Sequence, residues 1–170
     1  VDGRTFDLAA QEGGTLEEDL WRRDFRLNAI ALTLGPLPRL VDPTCGMKDL
    51  KRKRLVAISE RNLIEDPLRI LRGLRLMAQM NLTIDPQTRQ WLKVNRGLLS
   101  KAAPERISSE IHYLVVASWA DKSIKLLQDL RLLEFWQKNY LDLNASQPSY
   151  HQSKALNAEE RKVALPLARL

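Results

Sequence analysis

Residues 65–80 read EDPLRILRGLRLMAQM, and their apolar positions recur at helical spacing. The pattern predicts a helix that reaches Met80 and begins at Asp66 or one to two turns earlier. On that helix Glu65, Arg69 and Arg72 are aligned at i, i+4 and i+7, and Asp66 lies three positions before Arg69. The apolar residues that cover the remaining surface are Leu68, Ile70, Leu71, Leu74, Met77 and Ala78. The polar stripe is therefore narrow and flanked by side chains that favour burial.

Asp66 and Arg69 together match one kind of nucleobase edge. A carboxylate accepts a hydrogen bond from an exocyclic amino group, and a guanidinium donates to the ring nitrogen beside it. Adenine and cytosine present an amino group next to an acceptor, whereas guanine and uracil present a carbonyl next to an N–H. The pair is therefore predicted to select A and C. The same spacing also fits a plain helix N-terminus, whose acidic residues interact with the helix dipole and pair with Arg69.

Toward the N-terminus, Thr15 and Glu18 form a capping-box pattern that predicts a helix from Leu16 to Leu34. Four polar residues interrupt its apolar pattern: Arg22, Arg23, Asp24 and Asn28. Arginine donates two parallel hydrogen bonds to a phosphate, and a carboxylate accepts one from a ribose hydroxyl, so this group suits a nucleotide. A surface ion pair of less than about 1 kcal/mol explains the same residues equally simply.

Gly35 and Pro36 are predicted to end that helix, and short extended pieces follow at 40–41 and 55–58, around a turn at 42–46. Between them lies the most basic run of the chain, whose cations are Lys48, Lys51, Arg52, Lys53 and Arg54. Such runs are usually solvated faces, and they also suit contact with RNA phosphates.

The chain after Ser59 is predicted to be helical, with helices that begin at Asp85-Pro86, after Pro104 and at about Asp121, the last reaching Trp136. The fold class is therefore mostly α. A change of composition near Ser59 predicts three parts, residues 1–58, 59–143 and 144–170. The first opens with alternating residues at 1–11 that predict a short strand, and the last is a loose tail with one short helix.

The predicted helix after Pro104 carries Glu105, Arg106 and Glu110. Arg106 and Glu110 are spaced for an i, i+4 ion pair, and Glu105 lies in the first turn, where the helix dipole favours an acid. Structural support is the expected role of these three residues. The three tryptophans of the helical part fall at apolar positions and are expected to pack in the core: Trp91, Trp119 and Trp136.

Composition narrows the class of protein. The 170 residues carry 27 Lys+Arg against 21 Asp+Glu, a net charge of +6 that favours a polyanionic partner. One cysteine excludes an intramolecular disulfide framework and a cysteine-rich zinc site, and two histidines leave little room for a histidine-based metal site, so no metal ligand is predicted within the chain. No apolar run approaches the roughly 20 residues of a membrane-spanning helix. We therefore expect a soluble, cytoplasmic protein.

Four segments, taken in order, resemble successive motifs of the class II tRNA nucleotidyltransferase and bacterial poly(A) polymerase family. They are Arg22–Ala29, Asp42–Leu50, Glu65–Arg72 and Glu105–Glu110. The resemblance covers residues 16–135. It implies that residues 1–58 are the C-terminal part of an α/β nucleotidyltransferase head, and that residues 59–143 are an all-α neck and the start of a body.

The resemblance also implies an activity and its partners. Family members add CCA, or part of it, to tRNA 3′ ends from CTP and ATP, with Mg²⁺ and without a nucleic-acid template. The expected partners are therefore the tRNA 3′ end, CTP and ATP. Specialists that add only CC or only A, and poly(A) polymerases, belong to the same family.

Roles for individual residues follow from the family motifs. The implied nucleotide-binding residues are Arg22, Arg23, Asp24, Asn28, Glu65, Asp66, Arg69 and Arg72. In this assignment the segment from Arg22 to Asn28 contacts the ribose and phosphates. Asp66 and Arg69 read the base, and Glu65 holds Arg69 in place. The segment at 42–50 resembles the connection between head and neck, and the segment at 105–110 resembles the motif that steadies the neck helices.

The sequence departs from the family pattern at several places, among them Arg26, where threonine is common, and Thr44-Cys45, where a residue plus glycine is usual. The family's metal-binding Asp-x-Asp occurs nowhere in the 170 residues, so the catalytic carboxylates are expected upstream of Val1. We therefore expect this chain alone to hold part of a nucleotide pocket and not to catalyse. Gly73 stands where alanine is usual, at a cost of about 1 kcal/mol in helix preference. A helical RNA-binding module without catalysis, with Lys48–Arg54 as its phosphate contact, is the alternative.

Overall fold

A computed structural model describes residues 10–11 and 13–134. Seven α-helices lie in this part of the chain: α1 (Leu16–Trp21), α2 (Gly46–Lys51), α3 (Glu60–Glu65), α4 (Arg69–Met80), α5 (Pro86–Asn95), α6 (Pro104–Val115) and α7 (Ala120–Asp129). Two 3₁₀ turns, Arg26–Asn28 and Arg96–Lys101, accompany them. The described chain is mostly helical, as predicted, and none of its helices has the length and apolar character needed to cross a membrane.

Four two-residue strands form two small sheets. In the first, β1 (Ala31–Leu32) and β2 (Leu40–Val41) are antiparallel, with Ala31 opposite Val41. In the second, β3 (Arg54–Leu55) and β4 (Thr83–Ile84) are parallel, with Arg54 opposite Thr83. The predicted extended pieces at 40–41 and 55–58 thus contain β2 and part of β3. The strand predicted at the N-terminus, from Val1 onward, falls largely on residues 1–9, outside the described residues.

Helix α4 lies at the centre of the fold and packs against both α6 and α7. Its buried residues are Ile70, Leu71, Gly73, Leu74, Leu76, Met77 and Ala78. Phe25 and Leu55, from the part of the chain before residue 59, are fully buried in the same hydrophobic cluster. The core is therefore continuous across residue 58.

Gly73 explains how Phe25 enters this core. A Cβ atom at position 73 would lie 2.6 Å from Cζ of Phe25, closer than real Cβ contacts allow. The glycine disfavours the helix locally, and it also lets the aromatic ring pack directly on the backbone of α4.

The predicted helix from Leu16 to Leu34 is wrong beyond its first turns, because α1 ends at Trp21. Its capping box is confirmed: the Thr15 hydroxyl accepts from the Glu18 amide and the Glu18 carboxylate accepts from the Thr15 amide. Phe25 adopts an extended conformation and forms a bridge with Ala57. Burial of its ring and pairing of its backbone override the helical spacing of the sequence.

The predicted continuous helix through Glu65 and Arg69 is also wrong. Helix α3 ends at Glu65, and Asp66 has an extended backbone (φ −133°, ψ 95°) before α4 begins. The residue before a proline is driven out of the α region by the proline ring, so Pro67 imposes this break. Glu65 therefore lies on a different helix from Arg69 and Arg72.

The later helices begin where the sequence predicts. The Asp85 carboxylate caps α5 by accepting from Gln87 and Thr88, and α6 starts at Pro104. Helix α7 ends at Asp129, before the predicted end. The prediction of core packing is wrong for Trp119, which is 48% exposed, while Trp91 is partly buried against the core. Trp136 lies outside the described residues.

Candidate functional site

Two cavities are lined by residues of the first turn of α4. The first, of about 240 Å³, is lined by Ala10, Asp19, Arg22, Arg23, Asp24, Asn28, Arg69 and Arg72. The second, of about 370 Å³, is lined by Asp66, Leu68, Arg69, Arg72, Glu105, Arg106, Ser109 and Glu110. Arg69 and Arg72 line both. Of the eight residues predicted to bind a nucleotide, only Glu65 lines neither cavity.

The first cavity is built on the segment between α1 and the 3₁₀ turn at 26–28. The side chain of Asp24 is only 4% exposed, and its Oδ1 accepts from the Phe25 amide at 2.8 Å and from Asn28 Nδ2 at 2.9 Å. Its Oδ2 lies 3.0 Å from Arg72 Nε. Asp24 and Asn28 thus interact at the predicted spacing, within a tight turn rather than on a helix.

The arginines of this cavity are held in defined positions. Arg23 forms an ion pair of 2.7 Å with Asp19. Arg69 Nη1 donates to the backbone carbonyls of Arg22 at 3.0 Å and Asn62 at 2.9 Å. Nη1 anchors the Arg69 guanidinium, and its other N–H groups can donate hydrogen bonds to a ligand in either cavity.

The expectation that Glu65 holds Arg69 in place is contradicted by the structure. Glu65 Oε1 lies 2.8 Å from Arg61 Nε, within helix α3. The break at Asp66 directs Glu65 away from the first turn of α4, and two backbone carbonyls replace the carboxylate as partners of Arg69.

Asp66 and Arg69 line the same cavity, as the prediction of a base-reading pair requires. Asp66 Oδ1 accepts from the Leu68 amide at 3.2 Å, and Oδ2 lies 3.4 Å from Arg106 Nη2. The carboxylate is therefore restrained from two sides, and 36% of the side chain stays exposed to solvent.

The predicted ion pair between Arg106 and Glu110 is wrong. Arg106 pairs with Asp66, and Glu110 pairs with Arg75 at 3.3 Å, so both residues connect α6 to other elements. These contacts agree with the supporting role expected of the segment. Burial raises the pKa of the Glu110 carboxyl, although the charges of Arg75 and Arg72 oppose the shift.

Four cations of the basic run are exposed: Lys48, Lys51, Arg52 and Lys53. Arg54 differs because its guanidinium pairs with Asp85, the carboxylate that caps α5. Its side chain therefore supports the fold at the second sheet, and the exposed face of the run consists of the other four residues.

The described residues show no cluster of side chains that would hold a magnesium ion by itself. Within residues 10–11 and 13–134, no group of three or more His, Cys, Asp or Glu side chains is placed to hold a metal ion. The two acids of the first cavity, Asp19 and Asp24, are each paired with an arginine. No chemical step is therefore assigned to a metal on these residues. The expectation that the catalytic carboxylates precede Val1 stays a prediction, and Val1 itself lies outside the described residues.

Asn62 is the residue that sequence reasoning missed. It is 6% exposed, and its side chain contacts the backbone of the segment that forms the first cavity. In the sequence, Asn62 is visible only as a polar residue four positions before Asp66, within the short helix α3. A buried amide is strongly constrained by its partners, but the sequence does not name them.

Two family models match the chain. One, described as "Poly A polymerase head domain", matches residues 3–56, and the other, described as "Probable RNA and SrmB-binding site of polymerase A", matches residues 81–142. The two matches flank α3 and α4, the helices that carry Asn62, Arg69 and Arg72.

Curated proteins and solved structures show the same similarity. The chain is 41% identical over 126 residues to a CC-adding tRNA nucleotidyltransferase of Synechocystis sp., covering 69% of this chain and 30% of that protein. It is 44% identical over 124 residues to an A-adding tRNA nucleotidyltransferase of Deinococcus radiodurans, covering 70% and 28%. A solved complex of a CCA-adding enzyme with CTP has 30% identity and a TM-score of 0.67, with 71% of this chain and 30% of that chain covered. The chain thus spans about 30% of the length of these relatives.

Proposed function

This chain belongs to the tRNA nucleotidyltransferase and poly(A) polymerase family, and on that premise we propose that its two cavities together bind one nucleoside triphosphate. The proposal rests on the position of the Arg69 side chain between the two cavities. It lines both cavities, with Asp24 in the first and Asp66 in the second. One ligand with a charged end and a base at the other end fits this arrangement.

The sugar and phosphates occupy the first cavity. Arg22, Arg23 and Arg72 supply the positive charge, and arginine binds phosphate oxygens with parallel hydrogen bonds. Asp24 and Asn28 lie in the same cavity and offer polar groups to a ribose hydroxyl.

The base occupies the second cavity, between Asp66 and Arg69. The Asp66 carboxylate accepts from the amino group of cytosine or adenine, and Arg69 donates to the neighbouring ring nitrogen. Uracil and guanine place a carbonyl against the carboxylate and an N–H against the guanidinium. The base N–H then faces the donors of the guanidinium, and the base carbonyl faces the acceptors of the carboxylate. Uracil and guanine are therefore rejected.

In the intact family protein, this pocket serves template-independent addition of C, A or both to tRNA 3′ ends. The tRNA 3′-hydroxyl attacks the α-phosphate, a new P–O bond forms, the bond to the β-phosphate breaks and pyrophosphate leaves. This chain's residues orient the nucleotide for that attack. The carboxylates that hold the metal ions in the family are expected upstream of Val1, and no group of three or more potential ligands lies within the described residues.

Calorimetric titration of the chain with CTP, ATP, UTP and GTP tests the pocket. CTP and ATP should bind about tenfold or more tightly than UTP and GTP, since a mismatched hydrogen bond to a charged group costs about 1.5–3 kcal/mol. Asp66→Ala should abolish the preference. Asp129→Ala, which removes an exposed carboxylate that pairs with Arg89, is the control and should preserve it. Equal affinity of the native chain for CTP and UTP would contradict the proposal.

An RNA-binding module without nucleotide binding is the second candidate. The four exposed cations of the basic run favour it, because clustered Lys and Arg bind phosphates independently of sequence. A filter-binding assay with tRNA, combined with thermal melting in the presence of CTP, separates the two. Binding of tRNA without any nucleotide-dependent melting shift would support the second candidate.

A further inference from the structure

Three consecutive backbone carbonyls, those of residues 21–23, accept hydrogen bonds from the region of α3 and α4. Asn62 Nδ2 donates to the Trp21 carbonyl at 2.8 Å and to the Arg23 carbonyl at 2.6 Å. Arg69 Nη1 donates to the carbonyl between them, that of Arg22, at 3.0 Å. The segment that carries the arginines of the first cavity is thus held along its backbone.

The amide of Asn62 has one possible orientation. Both hydrogens of its nitrogen are used by the two carbonyls, and its Oδ1 accepts from the Ser59 hydroxyl at 2.8 Å. Rotation of the amide by half a turn would place its oxygen against two carbonyl oxygens, which repel it. With 6% exposure, water cannot replace these partners readily.

The backbone of the same residue contacts the base-reading side of the site. The Asn62 carbonyl accepts from Arg69 Nη1 at 2.9 Å. The side chain of Asn62 therefore fixes the segment of the first cavity, while its main chain fixes the arginine that lines both cavities. A displacement of Asn62 would move both groups relative to each other.

We propose that Asn62 is a positioning residue. It fixes residues 22–24, which line the cavity for the sugar and phosphates, relative to Arg69, which contacts the base, so that base selection and sugar selection depend on each other. This inference rests on the proposed function, because it assumes that one nucleotide occupies both cavities. The segment has no regular secondary structure of its own, and these hydrogen bonds hold it together with the one that the Asp24 carbonyl accepts from the Ile58 amide at 3.1 Å. A small displacement at such a site has a large effect, since a ligand bound at two points tolerates little change in the distance between them.

Two affinity ratios measured on the chain test the proposal: Kd of UTP over Kd of CTP, for the base, and Kd of 2′-deoxy-CTP over Kd of CTP, for the sugar. Asn62→Ala should lower both ratios by about fivefold or more. Asp66→Ala should lower mainly the first ratio and Asp24→Asn mainly the second. A joint reduction caused by one residue that lines neither cavity is the signature of positioning.

Asn95→Ala is the matched control. Asn95 is also buried, and its Nδ2 also donates twice, to Glu60 Oε1 at 2.7 Å and to the Trp91 carbonyl at 3.0 Å, but it lines neither cavity. Its removal should lower the Tm of the chain and leave both ratios unchanged. Hydrogen exchange without nucleotide should show faster exchange of the amides at 21–25 in Asn62→Ala than in Asn95→Ala.

The possible failures are distinguishable. If the native chain binds CTP and UTP equally, the proposed function fails. If the native chain discriminates and Asn62→Ala keeps both ratios, the positioning role is overturned while the function stands. Should Asn62→Ala not fold, Ser59→Ala takes its place, because it removes the hydroxyl that orients the amide. It should give a smaller reduction in both ratios, and unchanged ratios would again overturn the role.

Discussion

Arg72 Nε lies 3.0 Å from the buried Oδ2 of Asp24, and this ion pair joins the segment after α1 to the first turn of α4. The other oxygen of Asp24 already accepts two hydrogen bonds, from Phe25 and Asn28. The carboxylate therefore organises the first cavity, and in the proposed complex it also offers an acceptor to the sugar. A ribose hydroxyl that binds Asp24 shares Oδ2 with Arg72.

Asp24→Asn should reduce the preference for CTP over 2′-deoxy-CTP by about tenfold, because it weakens a charge-assisted hydrogen bond and releases Arg72. The measurement is the pair of dissociation constants by calorimetry. Asp49→Asn is a matched control, since Asp49 is a buried carboxylate beside Arg26 that lines neither cavity. An equal reduction of the preference in both variants would contradict the role of Asp24.

Gly73→Ala should destabilise the chain by about 1–3 kcal/mol, because the added methyl group collides with the ring of Phe25. The intrinsic helix preference of alanine acts in the opposite direction and amounts to about 1 kcal/mol. Urea unfolding measures the balance. Gly35→Ala, where nothing lies within 4 Å of the added carbon, is the control, with an expected change of less than about 0.5 kcal/mol. A Gly73→Ala chain more stable than the native one would show that Phe25 can move aside freely.

The stability of the chain should depend on the ionisation of Glu110. Burial raises its pKa above the ordinary value of 4.5, so the folded state favours the protonated carboxyl. The resulting stabilisation is complete below the unfolded pKa and disappears as pH rises through the folded pKa. Glu110→Gln cannot ionise, so its free energy of unfolding should increase relative to the native chain as pH rises from 4.5 toward neutrality.

Urea unfolding at several pH values measures this difference. Glu105→Gln, on the exposed side of the same helix, serves as the control for the removal of one carboxylate. A Glu110→Gln difference that is constant with pH, or one that falls as pH rises, would contradict the prediction.

The basic run should contribute to tRNA affinity by binding phosphates. The triple variant Lys48→Gln, Lys51→Gln, Arg52→Gln should bind tRNA more weakly. The slope of log affinity against log salt concentration should become less steep by about 0.7–0.9 for each phosphate that is no longer neutralised. Titration of labelled tRNA at several salt concentrations gives the slope. Arg39→Gln, an exposed cation on the hairpin at 31–41, is the control. An unchanged slope in the triple variant would show that these three cations do not contact tRNA phosphates.

Local signals in the sequence predicted three helix starts correctly. Thr15 with Glu18, Asp85 before Pro86, and Pro104 each determine a helix N-terminus through hydrogen bonds or backbone angles within a few residues. Asp66 and Arg69, which the sequence brings together by their spacing, line one cavity, although Asp66 lies outside the helix that this spacing assumed. These features depend on neighbours in the chain or on the chemistry of the side chains.

Other features depend on contacts between distant parts of the chain. The chain leaves the helical path after α1 where Phe25 is buried against Gly73, and the side-chain hydrogen bonds of Asn62 reach carbonyls about 40 positions earlier. Neither partner is visible from local spacing. The break at Asp66 was accessible, because Pro67 disfavours a helical residue before it, but the strong apolar pattern on both sides masked the signal.

The ring of Phe25 sits in the middle of a core to which the later helices contribute most of the side chains. Cleavage between residues 58 and 59 would expose that ring on one fragment and the apolar surface beside Gly73 on the other. Both fragments would then present a hydrophobic patch to water. Chimaeras that exchange the N-terminal part between relatives must therefore keep the aromatic residue and the glycine as an inherited pair. A cut at the change of composition near Ser59 would therefore pass through a shared core.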